Sequence, residues 1–278
     1  MEVEFWGTRG SVPAPGESTV KYGGNTTCLE IRLANGAIII IDAGTGIRKL
    51  GHKLIKTDNK KIDIFLTHPH WDHIQGFPFF APMYDKNSIV RVHGWATTNR
   101  KVQNTITYQM EGTYFPVDYS QLAAEIDFIE IDSNILNYEG ATLSFIRCNH
   151  PVICHSIKFE EQDRTMVFMT DNELDAVNPN TTWEEFVNFC KNANLLIHDA
   201  QYTPVELDSK KGWGHSSFIR VLELANQANV EKLCFFHHDP DHSDKTIDDM
   251  VESARKYIKE QGYKFVLTAA KENLVVEV

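Results

Sequence analysis

Four side chains able to hold a metal ion fall within six residues at His68-x-His70-x-Asp72-His73. They follow directly on the apolar run Ile62–Leu66. Residues two apart in an extended segment project to the same side, so His68 and His70 can serve one point. Asp72 and His73 come next, where a tight turn aims them at a neighbouring point. Imidazole together with carboxylate suits zinc or another borderline divalent cation. A solvated loop that is merely rich in His is the plainer explanation, and it fails physically: imidazoles gathered at the end of a buried strand repel when charged and need a partner. The same position, just past an apolar strand, recurs at His150, Asp171, His198-Asp199 and His237-His238-Asp239. Each alone reads as a satisfied residue at a strand end. Together they read as strand ends converging on one sheet edge, which is where open sheets place active sites.

The elements that must position these residues are legible in outline. Strand-like runs occupy Val3–Trp6, Thr27–Leu33, Ala37–Ile41, Ile62–Leu66 and Ile89–Val92, then Ile126–Ile131, Thr142–Arg147, Ser156–Phe159 and Thr165–Met169. The unbroken Ala37-Ile38-Ile39-Ile40-Ile41 predicts a strand buried on both faces, and Asn35-Gly36 before it is a hairpin turn signal. Ile47, Leu50 and Leu54 lie at helical spacing. Further helices are expected at Thr181–Lys191 with Thr182 as cap, at Ser216–Ala228 and at Asp244–Gln261, with short strands at Leu195–Ile197, Leu233–Phe236 and Phe265–Leu267. Strands come first and helices interleave increasingly, which predicts a mixed α/β chain with helices covering sheet faces. The segment 97–125 is polar and aromatic by turns. It reads equally as a helical flap over a site and as a surface crossover.

Composition narrows the partners. The 278 residues carry 27 basic and 38 acidic side chains, a net charge of −11, which argues against long nucleic acid or an anionic membrane as partner. It does not disfavour a small anionic substrate held by a local site. Met1–Pro13 lacks a basic start and an apolar core, and no apolar run approaches a membrane span, so a cytoplasmic protein is expected. The five Cys form no CxxC pair and read as buried reduced thiols.

The chain resembles the metallo-β-lactamase superfamily, and within it the phosphodiesterase branch that includes ribonuclease Z and cyclic phosphodiesterases. The likeness rests on Gly7-Thr-Arg-Gly-Ser11, Tyr22-Gly-Gly-Asn-Thr26, Asp42-Ala-Gly-Thr-Gly46, Thr67-His-Pro-His-Trp-Asp-His73, His150, Thr170-Asp171, His198-Asp-Ala-Gln-Tyr202, Gly214-His-Ser-Ser217 and Phe236-His-His-Asp-Pro240. The HxHxDH element belongs to the superfamily; the HDAQY and GHSS elements narrow it to the branch. The resemblance implies an αββα four-layer sandwich of two mixed β-sheets flanked by helices, one hydrolase domain over 1–278. It implies two divalent metal ions, zinc first, with manganese or iron as alternatives. His68, His70 and His150 would hold one ion and Asp72, His73 and His237 the other, with Asp171 bridging. A hydroxide shared between the ions would be the nucleophile. His215 would face the scissile phosphate and protonate the leaving group, oriented by Asp199. His215, Asp199 and Asp72 are thus the expected catalytic residues. His215, Ser216 and, if 97–125 is a flap, Tyr114 are the expected substrate contacts. Asp42 reads equally as an orienter of a ligating His and as a turn aspartate.

The expected function is hydrolysis of a small cyclic phosphodiester, either a cyclic nucleotide or a ribose cyclic phosphate. The alternative is transfer-RNA 3′ processing. That branch carries a long basic arm, whereas 97–125 adds only Arg100 and Lys101. Lactamases and thioesterases lack the His215/Asp199 pair, and an inactive binding module sits poorly with seven competent ligands. A homodimer is implied by the resemblance alone. His237 is preferred to His238 as ligand because of where Pro240 then falls. His155 and His242 are left without a role, His93 and His52 read as structural or exposed, and Arg9 reads equally as a phosphate contact and as a loop support.

Overall fold

The periodicity of the buried strands explains the layering. The computed structural model describes residues 1–97 and 100–278. One seven-stranded sheet holds β1 (Glu2–Gly7), β2 (Cys28–Arg32), β3 (Ile38–Ile41), β4 (Lys61–Phe65), β5 (Ile89–Gly94), β6 (Glu125–Glu130) and β14 (Val275–Glu277), in the order β14-β1-β2-β3-β4-β5-β6. The other holds β7 (Ile135–Tyr138), β8 (Ala141–Arg147), β9 (His155–Glu161), β10 (Arg164–Met169), β11 (Leu195–Asp199), β12 (Lys232–Phe236) and β13 (Val266–Ala269), in sequence order. Side chains alternate across a strand. Ile39 and Ile41 therefore meet Phe159, Phe168 and Phe236 between the sheets, while Ile38 and Ile40 face outward. There they pack under α1 (Ile47–Leu54). The outer face of the second sheet is covered by α4 (Trp183–Cys190), α6 (Phe218–Gln227) and α7 (Asp244–Gln261). The expected four layers, helix on sheet on sheet on helix, are present. Thr182 caps α4 through a reciprocal pair with Glu185.

Strand direction decides where the chemistry lies. In the first sheet β14-β1, β1-β2 and β2-β3 are antiparallel and β3-β4, β4-β5 and β5-β6 parallel. The second sheet repeats the pattern from β7 to β13. Strands β1, β3 and β4 of one sheet and β8, β10, β11 and β12 of the other consequently end at one common edge. The two sheets are tied there by Gly10 N–H to His238 O at 3.0 Å and His238 N–H to Thr8 O at 2.9 Å.

The segment 97–125 is anchored rather than free-standing. Thr98 and Asn99, within it, lie outside the described residues. Its α3 (Val102–Thr107) buries Val102 and Ile106, with Met110 one turn on, against the outer face of the first sheet. Gln109 Nε2 donates to Ile74 O at the end of α2 (Trp71–Ile74). This apolar stripe turns the aromatic tip outward: Tyr114 is 65 % exposed and pairs with Tyr108. It is not among the residues around the cavity over the ligand cluster.

Candidate metal centre

Three residues at the common edge hold left-handed backbone without being glycine: Asp42 (φ 60°), Asp171 (φ 52°) and His237 (φ 57°). Asp42 and His237 directly follow β3 and β12, and Asp171 follows β10 with one residue between. The conformation costs about 1–2 kcal/mol per residue, and strained residues of this kind cluster where side chains must be aimed. The left-handed turn swings the side chain off the strand line and over the edge.

Two groups of ligand atoms result. One atom each from His68, His70, His150 and Asp171 lie within 4.8 Å of one another, and so do atoms from Asp72, His73, Asp171 and His237. Asp171 belongs to both. Its Oδ2 is 3.3 Å from His68 Nε2 and 3.9 Å from His150 Nε2. Its Oδ1 is 3.3 Å from His73 Nε2 and 3.2 Å from His237 Nε2. Asp72 Oδ2 is 3.1 Å from His237 Nε2 and 3.3 Å from His73 Nε2. All seven residues predicted as ligands are therefore brought together.

The donors fit cations. Nε2 of His68 and of His73 are buried with no hydrogen-bond partner, an arrangement that is costly unless a ligand fills it. The other ring nitrogens are committed as donors. His73 Nδ1–H donates to Asp42 Oδ2 (2.7 Å), His150 Nδ1–H to Gly214 O (3.1 Å) and His237 Nδ1–H to Gln201 Oε1 (2.9 Å). Thr67 gives its hydroxyl proton to Asp42, so it accepts from His68 Nδ1 at 3.1 Å. With Nδ1 so committed, Nε2 is the ring atom left to face the cluster, which is how proteins fix the tautomer of a ligating His. Burial disfavours charge on His73, but without an ion Asp171, Asp72 and Asp42 outweigh it and hold the ring well above its usual range. Burial works against charge on Asp171, but His237, His73 and His68 outweigh it and hold the carboxyl well below its usual range. Burial lowers His68 and His70, and takes His150 down to about 4. These rings are neutral and ligand-competent at pH 7.

Asp42 is thus an orienter. It is buried, and it also accepts from Thr67 N–H at 2.8 Å. Asp42→Asn should raise the dissociation constant of the ion nearest His73 about 10- to 100-fold. Chelator competition measures this, and unchanged affinity would make Asp42 a turn residue only.

Beside the two groups stands His215. Its Nδ1 donates to Asp199 Oδ2 at 2.8 Å, and Asp199 is itself fixed by Gln201 N–H and Asn172 N–H at 3.0 and 3.3 Å. Burial disfavours the imidazolium, but Asp199 outweighs it and holds His215 up at about 9. A cavity of about 430 Å³ opens over Ser11, His70, Trp71, Asp72, His215 and His237. Ser11 N–H donates to Asp72 Oδ2 at 2.7 Å.

Other expectations resolve differently. Ser216 is not at the cavity: its hydroxyl donates to Asn172 O (2.6 Å) and accepts from Leu174 N–H (3.1 Å), and Ser217 is the cap of α6. Arg9 is fully buried and donates to the carbonyls of Gly23, Asp239 and His242, so no phosphate reaches it. His238 donates to Ala270 O, and burial lowers it to about 3. His242 meets Glu206, His93 meets Asp63, and His155 stacks on Trp95 at 4.0 Å. All five Cys are free and buried.

Sequence reading gave no role to Gln201 or Glu173. Gln201 bridges His237 and Asp239. Glu173 accepts from Gly212 N–H and Gly214 N–H, fixing the loop that carries His215 and backs His150. Gly214 is left-handed (φ 89°), and a Cβ there would lie 2.0 Å from His150 Nδ1, so only glycine fits.

Known proteins share this fold. A family model described as the beta-lactamase superfamily domain matches residues 38–238. Ribonuclease BN of Proteus mirabilis is 22 % identical, over 88 % of this chain and 91 % of its own. The metallo-beta-lactamase fold protein YhfI of Bacillus subtilis superposes with a TM-score of 0.70 at 18 % identity, over 100 % of this chain and 98 % of its own. Human tRNase Z, short form, does so at 0.68 and 20 %, over 100 % and 99 %. With a family match across most of the chain and the four-layer fold to carry it, the chain belongs to the beta-lactamase superfamily.

Proposed function

We propose that the protein is a binuclear metal-dependent phosphodiesterase that opens a small cyclic phosphodiester, a cyclic nucleotide or a ribose cyclic phosphate. The observation that carries the reading is His215, held by Asp199 at the rim of the paired ligand groups. Divalent ions there, zinc or else manganese or iron, would supply a nucleophilic hydroxide near neutral pH and neutralise the phosphate's non-bridging oxygens. His68, His70 and His150 would hold one ion, Asp72, His73 and His237 the other, and Asp171 both. His215 donates a proton from Nε2 to the departing ribose oxygen, with Nδ1–H kept on Asp199. The ester P–O bond breaks, and that proton yields a free hydroxyl on the opened phosphomonoester.

The nuclease alternative is favoured by the names of the ribonuclease relatives. Against it, among the described residues none around the cavity is Lys or Arg, and the net charge of −11 opposes phosphate tracking. A panel settles the choice. Metal-loaded protein is offered cyclic nucleotides, a ribose cyclic phosphate, precursor transfer RNA and a β-lactam. Turnover of a cyclic ester supports the proposal. Maturation of the transfer RNA with no cyclic ester opened overturns it.

The pH profile follows from His215. The acid must be protonated, and the Asp199 carboxylate on Nδ1 favours the protonated ring. Asp199→Asn removes the charge that raises it. The alkaline fall of kcat on a ribose leaving group should then move to lower pH. An unmoved limb would assign the alkaline titration to another group.

A further inference from the structure

We infer that Trp71 is a stacking platform for a flat aromatic group of the substrate, which makes a base-bearing phosphodiester the preferred class. The inference rests on the phosphodiesterase reading above. It starts from one turn of helix. In α2 the residues Asp72, His73 and Ile74 are 5 %, 0 % and 4 % exposed, the first two turned into the ligand cluster and the third into the core. With 3.6 residues per turn, one direction remains, and Trp71 takes it, over the cavity it lines with His215 and His237. Trp71 is 80 % exposed. Any polar residue would satisfy that position, and helix formation asks nothing aromatic of it.

Four of the other exposed aromatics have a ring or cation partner, and a fifth, Tyr84, is tied by its hydroxyl to Pro78 O. Phe79 packs on Phe115, Tyr108 on Tyr114, and Lys210 lies over Trp213. Among the described residues no ring or cation covers Trp71. A rigid indole with two free faces, set between His70 and Asp72, is placed to receive a planar group while the phosphate sits between His215 and the ligand cluster. Nucleobase stacking is tolerant of base identity, so the platform selects the presence of a base rather than its kind.

Trp71→Ala and Trp71→Phe are compared with wild type on an adenosine cyclic phosphate and on a base-free ribose cyclic phosphate. Stacking on one aromatic ring contributes about 5- to 150-fold. The ratio of kcat/KM for the base-bearing over the base-free ester should fall by that factor in Trp71→Ala, chiefly through KM, and recover partly in Trp71→Phe. Adenosine monophosphate should quench the tryptophan emission of wild type and fail to do so in Trp71→Phe. An unchanged ratio with quenching intact in Trp71→Phe overturns the platform and leaves the phosphodiesterase reading standing. Loss of a dimer in Trp71→Ala, with both esters falling together, overturns it in favour of a contact between copies of the chain. If wild type opens neither ester, the parent reading fails and takes the inference with it.

Discussion

Asp171→Ala retains at most one metal ion per chain and loses about 10³- to 10⁴-fold in turnover of a cyclic phosphodiester. The size follows from the several kcal/mol that a metal centre supplies to the transition state, at tenfold per 1.4 kcal/mol or so. The position explains why no neighbour compensates. The Asp171 oxygens stand 3.2–3.3 Å from His68, His73 and His237, and among the described residues no other carboxylate belongs to both ligand groups. Removing it leaves His68, His70 and His150 facing one another without a carboxylate, which costs stability as well as affinity. Metal content by mass spectrometry and a thermal melt are therefore read together. A folded Asp171→Ala protein that keeps two ions would refute the bridge.

His215→Ala should behave in the opposite way on metal and selectively on substrate. Metal content stays at the wild-type value, because the ring's Nδ1 is on Asp199 and its role is proton donation. Turnover of a ribose cyclic ester falls about 10²- to 10⁴-fold, the usual share of general acid catalysis. Bis(p-nitrophenyl) phosphate, whose leaving group departs as a stable anion, loses much less. The contrast between the two substrates is what a structural role would not produce. Equal losses on both, or loss of metal, would move His215 out of the acid's place. Asp199→Asn separates the effects further, since it alters the protonation of His215 and leaves its ring in place.

The local chemistry was readable in the sequence because it is written in consecutive residues. His68, His70, Asp72 and His73 need one strand end and one turn to converge, and both signals, the run Ile62–Leu66 and the tight spacing, are local. The buried strand at Ile38–Ile41 was equally plain, since both of its faces demand Ile. The edge strands β7 and β14 were not. Their side chains are exposed or half-buried in alternation, and β14 pairs Glu277 with Glu2 across the length of the chain, which no local pattern encodes. The hydrogen-bond partners were hidden for the same reason. Asp42 reaches His73 across 31 positions, and Gln201 reaches His237 across 36. Ser216 and Tyr114 lie away from the cavity lining; position next to a functional residue says nothing of direction. One hydroxyl turns into the loop beneath it, and one ring follows the apolar stripe of Val102, Ile106 and Met110 to the outer surface. Trp71 sat unremarked inside the strongest motif, because only the helical turn shows which of its residues is left facing out.

The proposed mechanism needs two ions, one on either side of Asp171, with His215 binding neither. One feature of the geometry makes this worth measuring directly: Asp199, His215 and His237 also bring ligand atoms within 4.8 Å of one another. Crystals grown with zinc or manganese and measured at the metal's absorption edge locate the ions without assumption. The account predicts two anomalous peaks, one among His68, His70 and His150 and one among Asp72, His73 and His237, with a carboxylate oxygen of Asp171 on each. A peak between Asp199 and His215, or a single peak in place of two, would contradict it.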